Sequence, residues 1–500
     1  MHERLAAPGG VRLHELLPEA RFVGAHDVRV TSCSSDSRTV RPGDLFVAIA
    51  GRTHDGHEFI RDAVARGAAA VLAERIPADC PVPACLVAES RAAHARLCQA
   101  LAGDPSRHLK VVGITGTDGK TTTSYLIASI FDTANYHVGV LGTLGYFDGV
   151  QIERAVLTTP APPVLATWLA RMRANGCTHA VLEVSSHALA QSRIAGMAID
   201  VACVTNMRHD HLDDHDTTEG YHRAKARLFD HLVPEGLAVI NADDPASARL
   251  IRELNGPALS VGIERPAELT ATPLETHASE QTFLLAFGNE TMPVRTHLIG
   301  RHNVYNCLVA AAVGFGYGLD LPTIARGLEA VSKVPGRLER IECGQPFSVF
   351  VDFAHTSDAL GGCLRTLRPL TRGRLICVFG AGGDRDRLKR PRMGRVVEQL
   401  ADLAVVTNDN ARSESPRAII DDILSGIRGQ RRPRVIVDRA AAIRWSLSQA
   451  QPGDCVLIAG RGHEDYQLVG EQRLPFDDRD VARMCLRELP DASVAHRATA

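Results

Sequence analysis

The sequence lacks a charge excess, closely spaced cysteine pairs and long hydrophobic runs, and each absence excludes a class of protein. Its 56 basic and 58 acidic residues leave a formal net charge of −2, which gives no electrostatic case for binding nucleic acid. None of the 12 cysteines forms a Cys-x-x-Cys pair, so a structural zinc site is not expected. No apolar run approaches the roughly 20 residues of a membrane span, and Met1 to Arg4 lack the layout of a signal peptide. We therefore expect a cytoplasmic protein without a membrane span.

Chain length and hydrophobic patterning indicate several α/β domains. Five hundred residues exceed what one hydrophobic core usually holds, so two to four domains are expected. Short apolar runs such as residues 111–114 alternate with segments of helical spacing such as residues 163–173. This alternation predicts an α/β fold with mainly parallel sheets. Breaks at residues 103–106 and 333–337 suggest domain boundaries, and residues 259–294 predict short strands within the middle part.

The most informative stretch is GITGTDGKTT at residues 113–122, between a predicted buried strand and a predicted helix start. A strand, a glycine loop, Lys-Thr and a helix together form the arrangement that holds a nucleoside triphosphate. Glycines let backbone N–H groups curl around phosphate oxygens. Lys120 can neutralise phosphate charge, and the hydroxyl of Thr121 or Thr122 can reach Mg²⁺. The common pattern has glycine where Ile114 stands, and the alternative is an ordinary strand-to-helix turn with a surface lysine.

Polar side chains also follow two further predicted strands. Glu183 begins the sequence EVSSH at a strand end, where a carboxylate facing a phosphate loop is a natural Mg²⁺ ligand. The alternative there is a polar surface turn. His209 and His211 alternate with acidic residues after the next strand, so metal ligation or phosphate contact competes with a solvated acidic loop. Lys225 follows on a predicted helix, and its spacing alone predicts a solvated surface lysine.

Later parts of the chain carry further polar clusters. Asn303 and Asn306 share one face near a helix N-terminus, where they could contact adenine or substrate or could cap the helix. Four clusters occupy predicted strand ends in the C-terminal third: residues 352–355, 380–386, 408–412 and 460–464. The glycine-rich second cluster lacks the Gly-x-Gly-x-x-Gly order, so it is a weak sign of a dinucleotide site.

These residues together resemble the Mur ligases, the ATP-dependent amide-forming enzymes of peptidoglycan synthesis. The shared marks are collinear: residues 116–122, Glu183, Asn206 with His211, Gly300 with Asn303 and Asn306, residues 336–337, and Asp352 with His355. Further marks resemble the member that adds the third residue of the peptide: residues 36–38, 42–46, 158–160, 183–187, 390–394 and 462–466. With these marks the resemblance covers nearly the whole chain.

The resemblance implies three domains and an acyl-phosphate reaction. Residues 1–104 would form an α/β domain that binds the UDP of UDP-MurNAc-L-Ala-D-Glu. Residues 105–335 would form the P-loop ATPase domain with a mainly parallel sheet. Residues 336–500 would form a Rossmann-like domain that brings the incoming amino acid. ATP would be the co-substrate, Mg²⁺ the cofactor, and the enzyme a cytoplasmic monomer in peptidoglycan precursor synthesis.

The resemblance also assigns roles residue by residue. Catalysis would rest on Lys120, Glu183, His211 and Lys225. ATP would be bound by Gly116, Thr117, Asp118, Gly119, Lys120, Thr121, Thr122, Asn303, Arg337 and Asp352. The metal ligands would be Thr121, Glu183, His211 and Lys225, the last of them carbamylated. The UDP-MurNAc-dipeptide would be bound by Ser35, Ser37, Thr158, Thr159, Ser185, Gln191 and Arg193.

The incoming amino acid is set in this family by a loop that here has the sequence DNAR. The family's proline is replaced by Ala411, which removes a fixed φ and should loosen the loop. We expect meso-diaminopimelate, because Arg390 and Arg412 can pair with its extra carboxylate and Glu464 can take its ammonium group. The predicted binding residues are Arg390, Asp409, Asn410, Ala411, Arg412, Gly460 and Glu464. The alternatives are ligation of L-lysine, addition of glutamate to a folate, or a non-catalytic nucleotide-binding paralogue.

Overall fold

The computed structural model describes residue 5 and residues 9–51, 53–207, 217–429, 432–470 and 472–489. Three large sheets organise these residues, and helices cover them. The predicted α/β class with mainly parallel sheets is confirmed. Each large sheet lies within one of the three predicted segments, while the domain boundaries themselves stay a prediction. Among the described residues, no helix combines the length and the apolar character that a bilayer crossing demands.

The N-terminal sheet has five strands, of which only the first pair is antiparallel. In spatial order they are Arg21–Val23, Ala84–Leu86, Ala70–Ala73, Leu45–Val47 and Cys33–Ser34. A separate two-stranded sheet pairs Val11–Arg12 with Arg29–Val30. The α-helices of this part are Leu13–Leu16, Ile60–Ala65 and Ser90–Leu101, and its 3₁₀ helices are Ser37–Thr39, Gly56–Phe59 and Pro105–Arg107.

The central sheet has eleven strands, parallel in its middle and antiparallel at both ends. In spatial order they are Ile152–Glu153, Gly145–Phe147, Val138–Gly142, His179–Glu183, Lys110–Thr115, Ile199–Val204, Leu232–Asn241, Ala258–Gly262, Leu269–Thr276, Gln281–Phe287 and Glu290–Thr296. The short strands predicted over residues 259–294 are therefore confirmed, and they extend this sheet. Its helices are Lys120–Thr133, Pro162–Ala174, Ser186–Ala190, Thr218–Ala226, Pro245–Leu250, Arg301–Gly316, Leu321–Glu329 and the 3₁₀ turn Phe229–His231.

Both faces of the central parallel strands are buried, which explains their continuous apolar sequences. Val112 and Ile114 face one core with the helix Arg301–Gly316, and Val111 faces another with the helix Pro162–Ala174. The alternation of side chains along the strand thus places successive residues in different cores.

The C-terminal sheet has six strands, all parallel except the first. In spatial order they are Glu339–Arg340, Ser348–Asp352, Cys455–Ala459, Leu375–Phe379, Leu403–Val406 and Arg434–Val435. A hairpin pairs Tyr466–Val469 with Gln472–Pro475. The helices are Ser357–Leu367, Lys389–Leu400, Pro416–Leu424, Arg439–Gln449, Asp478–Glu488 and the 3₁₀ turn Arg368–Leu370.

Candidate active site

A cleft of about 2440 Å³ lies where strand ends of the central and C-terminal sheets face each other. Ligands in open α/β sheets bind at the carboxyl ends of strands, and this cleft occupies that position. It brings together most of the residues that the sequence singled out. Those that line it are Thr117, Asp118, Gly119, Lys120, Thr121, Thr122, Thr158, Thr159, Glu183, Ser185, Arg193, Asn303, Arg337, Asp352, Asp409, Asn410, Arg412, Gly460 and Glu464.

Seven of the described residues that were predicted for the site are not part of the cleft lining. His211 falls in residues 208–216, outside the described residues. Ser35 is exposed and Ser37 is half-buried, both in the N-terminal part. The remaining residues of this group are Gly116, Gln191, Lys225, Arg390 and Ala411.

The glycine loop has the backbone that its sequence predicts. Gly116 and Gly119 have φ angles of 146° and 88°. A residue with a side chain would be strained at such positive φ angles, so both positions favour glycine. A Cβ at Gly119 would also collide with the Asn306 side chain. Lys120 begins the following helix, and its Nζ donates to the carbonyl oxygens of Gly116 and Thr117 at 2.7 and 3.0 Å. The ammonium group therefore already lies over the loop that would hold phosphate.

The far side of the loop is fastened by the end of the neighbouring strand. The backbone N–H of Asp118 donates to Asn206 Oδ1 at 3.0 Å, and Asn206 Nδ2 donates back to the Asp118 carbonyl at 3.1 Å. The Thr205 hydroxyl donates to the same carbonyl at 2.6 Å. Asn206 therefore fixes the loop conformation.

Glu183 is buried at the end of its strand, beside the start of the loop helix. Its Oε2 accepts hydrogen bonds from the Thr121 and Thr143 hydroxyls, each at 2.9 Å. Its Oε1 accepts from the backbone N–H of Thr143 at 3.0 Å. Sequence reasoning missed Thr143, although it directly follows the strand Val138–Gly142 and the strand-end rule could have found it.

The two asparagines of the helix Arg301–Gly316 pair with each other. Asn306 Nδ2 donates to Asn303 Oδ1 at 2.9 Å, and Asn303 Nδ2 donates to the Ile299 carbonyl at 2.8 Å. Gly300 is the N-cap residue, and no side chain caps this helix. The capping alternative is therefore wrong, because both asparagines lie inside the helix.

Beside Glu183, a polar group connects two loops. The Thr159 hydroxyl donates to the Glu183 carbonyl and accepts from the backbone N–H of Ser185, each at 2.9 Å. Arg193 donates to the Thr159 carbonyl at 2.9 Å and to Gln191 Oε1 at 2.8 Å. Burial lowers the pKa of Arg193. Gln191 thus orients Arg193.

Lys225 lies on the helix Thr218–Ala226 and is only 1% exposed. The surface position predicted from its spacing is wrong. Its Nζ lies 4.0 Å from the centre of the Tyr221 ring, and the Tyr221 hydroxyl donates to Thr117 Oγ1 at 3.3 Å. Lys225 is therefore connected through one side chain to the phosphate loop.

The strand Ser348–Asp352 supplies Asp352, and an earlier turn supplies Arg337. Both Asp352 oxygens accept backbone hydrogen bonds, from Leu338 at 2.6 Å and from Ala354 at 2.7 Å. The Arg337 guanidinium lies 4.7 Å from the centre of the Phe353 ring. Burial, reinforced by the Arg337 cation, lowers the pKa of His463 to about 3, so this imidazole is neutral.

The loop with the sequence DNAR is held by buried polar partners. Asn410 Nδ2 donates to Glu464 Oε2 at 2.9 Å, while Asn410 Oδ1 accepts from Arg461 Nη1 at 2.9 Å. Arg412 has a φ of 53° and donates from Nη1 to the Gly383 carbonyl at 2.6 Å. A left-handed arginine is strained, and such strain is frequent at functional sites.

Two acidic residues of this pocket titrate in opposite directions. Burial raises the pKa of Glu464, and the negative charge of Asp409 raises it further. Burial also opposes ionisation of Asp409, but the cations of Arg439 and Arg461 outweigh it and lower its pKa. Arg439 is itself fixed by a fully buried ion pair with Asp478 at 2.7 Å. Asp409 therefore stays ionised more readily than an ordinary aspartate, whereas Glu464 takes up a proton more readily than an ordinary glutamate.

Arg390 and Ala411 support this loop from behind. The Arg390 side chain is fully buried and binds both oxygens of Glu414, at 2.7 and 2.9 Å, and Asp422 at 2.9 Å. Its guanidinium thus already has carboxylate partners in the protein, and its contact with the amino acid stays a prediction. Ala411 is buried, with its carbonyl packed against Gly383. Packing around Ala411 therefore restrains the loop at the position where the family has proline.

Known proteins match most of this chain. Three family models match: "Mur ligase family, catalytic domain" over residues 29–104, "Mur ligase middle domain" over residues 114–314, and "Mur ligase, glutamate ligase domain" over residues 336–462. A protein of Geobacillus thermodenitrificans (strain NG80-2) named UDP-N-acetylmuramoyl-L-alanyl-D-glutamate–2,6-diaminopimelate ligase is 43% identical over 467 residues. The match covers 92% of this chain and 95% of that protein.

A protein of the same name from Gloeobacter violaceus (strain ATCC 29082 / PCC 7421) is 43% identical and covers 95% of this chain and 98% of its own. A solved structure of a ligase of that name aligns with a TM-score of 0.67 at 32% identity, over 96% of this chain and 99% of that one. MurF ligase from Thermotoga maritima in complex with ADP shares the fold, with a TM-score of 0.58 at 19% identity, over 93% and 98% of the two chains. The chain therefore belongs to the Mur ligase family.

Proposed function

We propose that this protein uses ATP to join meso-diaminopimelate to the D-Glu γ-carboxylate of UDP-MurNAc-L-Ala-D-Glu, in cytoplasmic peptidoglycan precursor synthesis. The observation that carries the proposal is that one cleft is lined by both the phosphate loop and the loop at Asn410 and Arg412. Relatives of 43% identity that are named for this reaction support it. Phosphoryl transfer and amine attack need these two groups to face one space.

The residues at the phosphate loop fit a Mg²⁺ ion. Mg²⁺ takes hard oxygen ligands and is bound by one or two carboxylates together with substrate phosphates. The Thr121 hydroxyl and the Glu183 carboxylate, 2.9 Å apart, are such donors. When bound, Mg²⁺ would offset the charge of the ATP phosphates and of the incoming carboxylate.

In the first step, a γ-carboxylate oxygen of D-Glu attacks the γ-phosphorus of ATP, and ADP leaves. Two anions meet here, so cations must surround the transferred group. Lys120 Nζ, now on the loop carbonyls, turns to the phosphates on its flexible stem. Arg337 extends from the C-terminal side to the Thr121 hydroxyl, which places a second cation at the same point.

In the second step, the neutral substrate amine attacks the carbonyl carbon of the acyl phosphate, phosphate leaves, and the nitrogen loses one proton as the amide forms. The amine comes from the side of Asn410 and Glu464, so the two walls of the cleft must approach each other. Asn303 and Asp352 line the cleft between these walls, and we assign them to ATP.

We propose that Lys225 carries a carbamate formed from its amine and CO₂ with release of a proton. Burial against Tyr221 keeps this side chain from bulk water. The modification replaces a buried cation with an anion that has two oxygen donors, which suits a second Mg²⁺ together with His211.

We assign the distal end of diaminopimelate to Arg412 and Glu464. A guanidinium binds a carboxylate through two parallel hydrogen bonds, and Glu464 offers a carboxylate to the ammonium. Asn410 binds Glu464 through its side chain and Arg412 through its carbonyl oxygen. Gly460 leaves room beside Asp409, and Arg390 braces the loop. An L-lysine substrate lacks the distal carboxylate, so it would offer Arg412 no carboxylate to bind.

The other substrate would extend along the cleft toward the N-terminal sheet. We assign its peptide part to Thr158, Thr159, Ser185 and Arg193, with Gln191 orienting the arginine. Its UDP part would be bound near Ser35 and Ser37 in the N-terminal part. We propose that the enzyme works as a monomer, because residues of one chain line the whole cleft.

A phosphate-release assay tests the proposal. The enzyme receives ATP, Mg²⁺ and UDP-MurNAc-L-Ala-D-Glu, with meso-diaminopimelate or L-lysine added in turn. We expect phosphate release and a new amide with diaminopimelate only. Equal turnover of lysine would contradict the amino acid assignment, and ATP binding without any turnover would indicate a non-catalytic paralogue.

A further inference from the structure

Three side chains of types that can bind a metal meet in the N-terminal part of the molecule, and none of them lines the cleft. Cys33 lies on the edge strand Cys33–Ser34, while His94 and Cys98 lie on the helix Ser90–Leu101. His94 and Cys98 are four residues apart, so they share one helix face. Their ligand atoms, two sulfurs and a ring nitrogen, all lie within 4.8 Å of one another.

This geometry suits a single small metal ion. Zinc bonds to cysteine sulfur at about 2.3 Å and to histidine nitrogen at about 2.0–2.1 Å in a tetrahedron, which brings its ligand atoms to roughly 3.5–4 Å from one another. The cluster would need only small side-chain movements to reach that arrangement. Cys98 and His94 are buried, and the half-buried Cys33 leaves an entry route and a fourth ligand position for water.

One ring nitrogen of the cluster has no other partner. The Nε2 atom of His94 is buried and has no hydrogen-bond partner among the described residues. Cysteine binds a metal ion as the thiolate, so metal binding at this cluster would release protons.

We propose that Cys33, His94 and Cys98 form a binding site for a thiophilic divalent metal ion, with Zn²⁺ as the natural occupant. The lack of Cys-x-x-Cys pairs in the sequence bears only on zinc sites whose ligands are close in sequence. Here a strand and a helix more than 60 positions apart supply the ligands. The ion would fasten the edge strand to the helix, directly before the turn that begins at Ser35.

The helix that carries two of the ligands also contacts the middle part of the chain. Glu89, the residue before the helix, accepts a hydrogen bond from the Ser192 hydroxyl at 2.6 Å. Arg96 on the same helix packs against Gly196. Metal binding would therefore stabilise both the N-terminal sheet and its contact with the central part.

The test uses the full-length protein, reduced with a phosphine and titrated with Co²⁺ and then Zn²⁺. We expect one equivalent of Co²⁺ to produce a near-ultraviolet band of thiolate-to-cobalt charge transfer, which Zn²⁺ removes. Sites made only of histidine or carboxylate do not give this band. Zn²⁺ should also raise the melting temperature of the reduced protein.

Variants then identify the ligands. Cys98→Ser and Cys33→Ser should each weaken the thiolate band, because one of two Co–S bonds is lost, and weaken Co²⁺ binding by at least about a hundredfold, because losing a partner that merely orients a ligand already costs 10–100-fold. His94→Gln should weaken binding but retain the thiolate band. Cys80→Ser is the matched control, since this half-buried thiol of the same part donates to the Val82 carbonyl and is not part of the cluster. This variant should bind Co²⁺ like the wild type.

Two outcomes would overturn the proposal. One is a reduced wild-type protein that gives no thiolate band with Co²⁺. The other is a band that Cys33→Ser and Cys98→Ser leave unchanged. If a cysteine variant does not fold, the Co²⁺ titration of the reduced wild-type protein still tests the proposal, because it requires no variant. A Cys33–Cys98 disulfide that forms in oxidised protein, with no metal uptake by the reduced form, would assign these thiols to redox chemistry instead.

Discussion

Arg337 donates a hydrogen bond from Nη2 to the Thr121 hydroxyl at 3.3 Å, across a separation of 216 residues in the sequence. The Thr121 hydroxyl in turn donates a hydrogen bond to Glu183 Oε2 at 2.9 Å. A chain of polar contacts therefore runs from the C-terminal side of the cleft to the carboxylate of the central sheet. It meets the phosphate loop at the residue that we assign to Mg²⁺.

The first prediction concerns this contact. Arg337→Ala should lower kcat/KM for ATP by about tenfold to hundredfold, because a hydrogen bond involving a charged group contributes about 1.5–3 kcal/mol. Phosphate release at varied ATP measures the effect. Arg340→Ala is the control: Arg340 pairs with the exposed Glu342 and should change the rate less than twofold. Equal losses of kcat/KM in the two variants would contradict a specific role of Arg337 at the phosphate loop.

A second prediction separates the Thr121 hydroxyl from the shape of its side chain. Thr121→Val keeps the volume but removes the donor to Glu183, so kcat should fall by about a hundredfold or more. Thr121→Ser keeps the hydroxyl and should retain most of the activity. Thr133→Val, at the other end of the same helix, should be near wild type, since its hydroxyl donates only to the Ser129 carbonyl. A fully active Thr121→Val enzyme would contradict the assignment of Thr121 to the metal.

The sequence was informative wherever function depends on local order. The Lys120 loop and Glu183 were recognisable because strand, glycine turn and helix follow one another directly. The parallel fold also placed Asn410 and Glu464 at strand ends. Their closeness to Lys120 was expected only from the family resemblance, because no local rule brings two different sheets together.

Burial was much harder to predict. Lys225 has the spacing of a surface residue, yet it is buried because the helix packs against the phosphate loop through Tyr221. The binding of the amino acid by Arg390 stays a prediction, but the full burial of its side chain beside Glu414 and Asp422 could not be predicted from the sequence. Tertiary partners decide such cases, and a single sequence does not name them. The meeting of Cys33 with Cys98 is of the same kind.

A third prediction addresses the choice of amino acid. Arg412→Ala should raise the KM for meso-diaminopimelate by about tenfold or more, since it removes a charge-assisted pair with the distal carboxylate. It should not create activity with L-lysine, because nothing is added that favours that side chain. Arg417→Ala is the control, since Arg417 is exposed, does not line the cleft and pairs with the exposed Asp421. An unchanged KM for diaminopimelate in Arg412→Ala would contradict the assignment.

A fourth prediction follows from the raised pKa of Glu464. Burial, and then repulsion by Asp409, make this carboxyl take up a proton at a higher pH than an ordinary glutamate does. The KM for diaminopimelate should therefore rise as the pH falls into the mildly acidic range, while Asp409 stays ionised because its own pKa is lowered. Glu464→Gln should show a high KM at every pH and lose this acid limb.

The raised pKa of Glu464 also makes the stability of the fold depend on pH, but in the opposite direction from substrate binding. A carboxyl with a raised folded-state pKa stabilises the fold below its ordinary pKa, and this contribution is lost as the pH rises through the folded value. Glu464→Gln should thus unfold at slightly higher urea than the wild type at neutral pH, although its KM is worse. A variant that is both weaker in binding and less stable would show that Glu464 is structural.

A fifth prediction compares two arginines that share one acidic partner. Arg390 is fully buried between Glu414 and Asp422, whereas Arg387 is mostly exposed beside the same Asp422. Arg390→Met should destabilise the protein by about 2–4 kcal/mol, because it leaves acidic groups without their cation, although both are partly exposed. Arg387→Met should cost less than about 1 kcal/mol, as is usual for an exposed pair. Urea unfolding of the C-terminal sheet, followed at neutral pH, measures both values.

The pH dependence of that difference identifies its cause. Hydrogen bonds from Arg390 lower the pKa of Glu414 to about 2 from an ordinary value of 4.5, in spite of desolvation. This ionised pair stabilises the fold above the ordinary pKa, and the stabilisation is lost as the pH falls toward 2. The difference between wild type and Arg390→Met should therefore shrink over that acidic range. If it stays constant, the loss comes from the missing side-chain volume, and the ion pair with Glu414 contributes little.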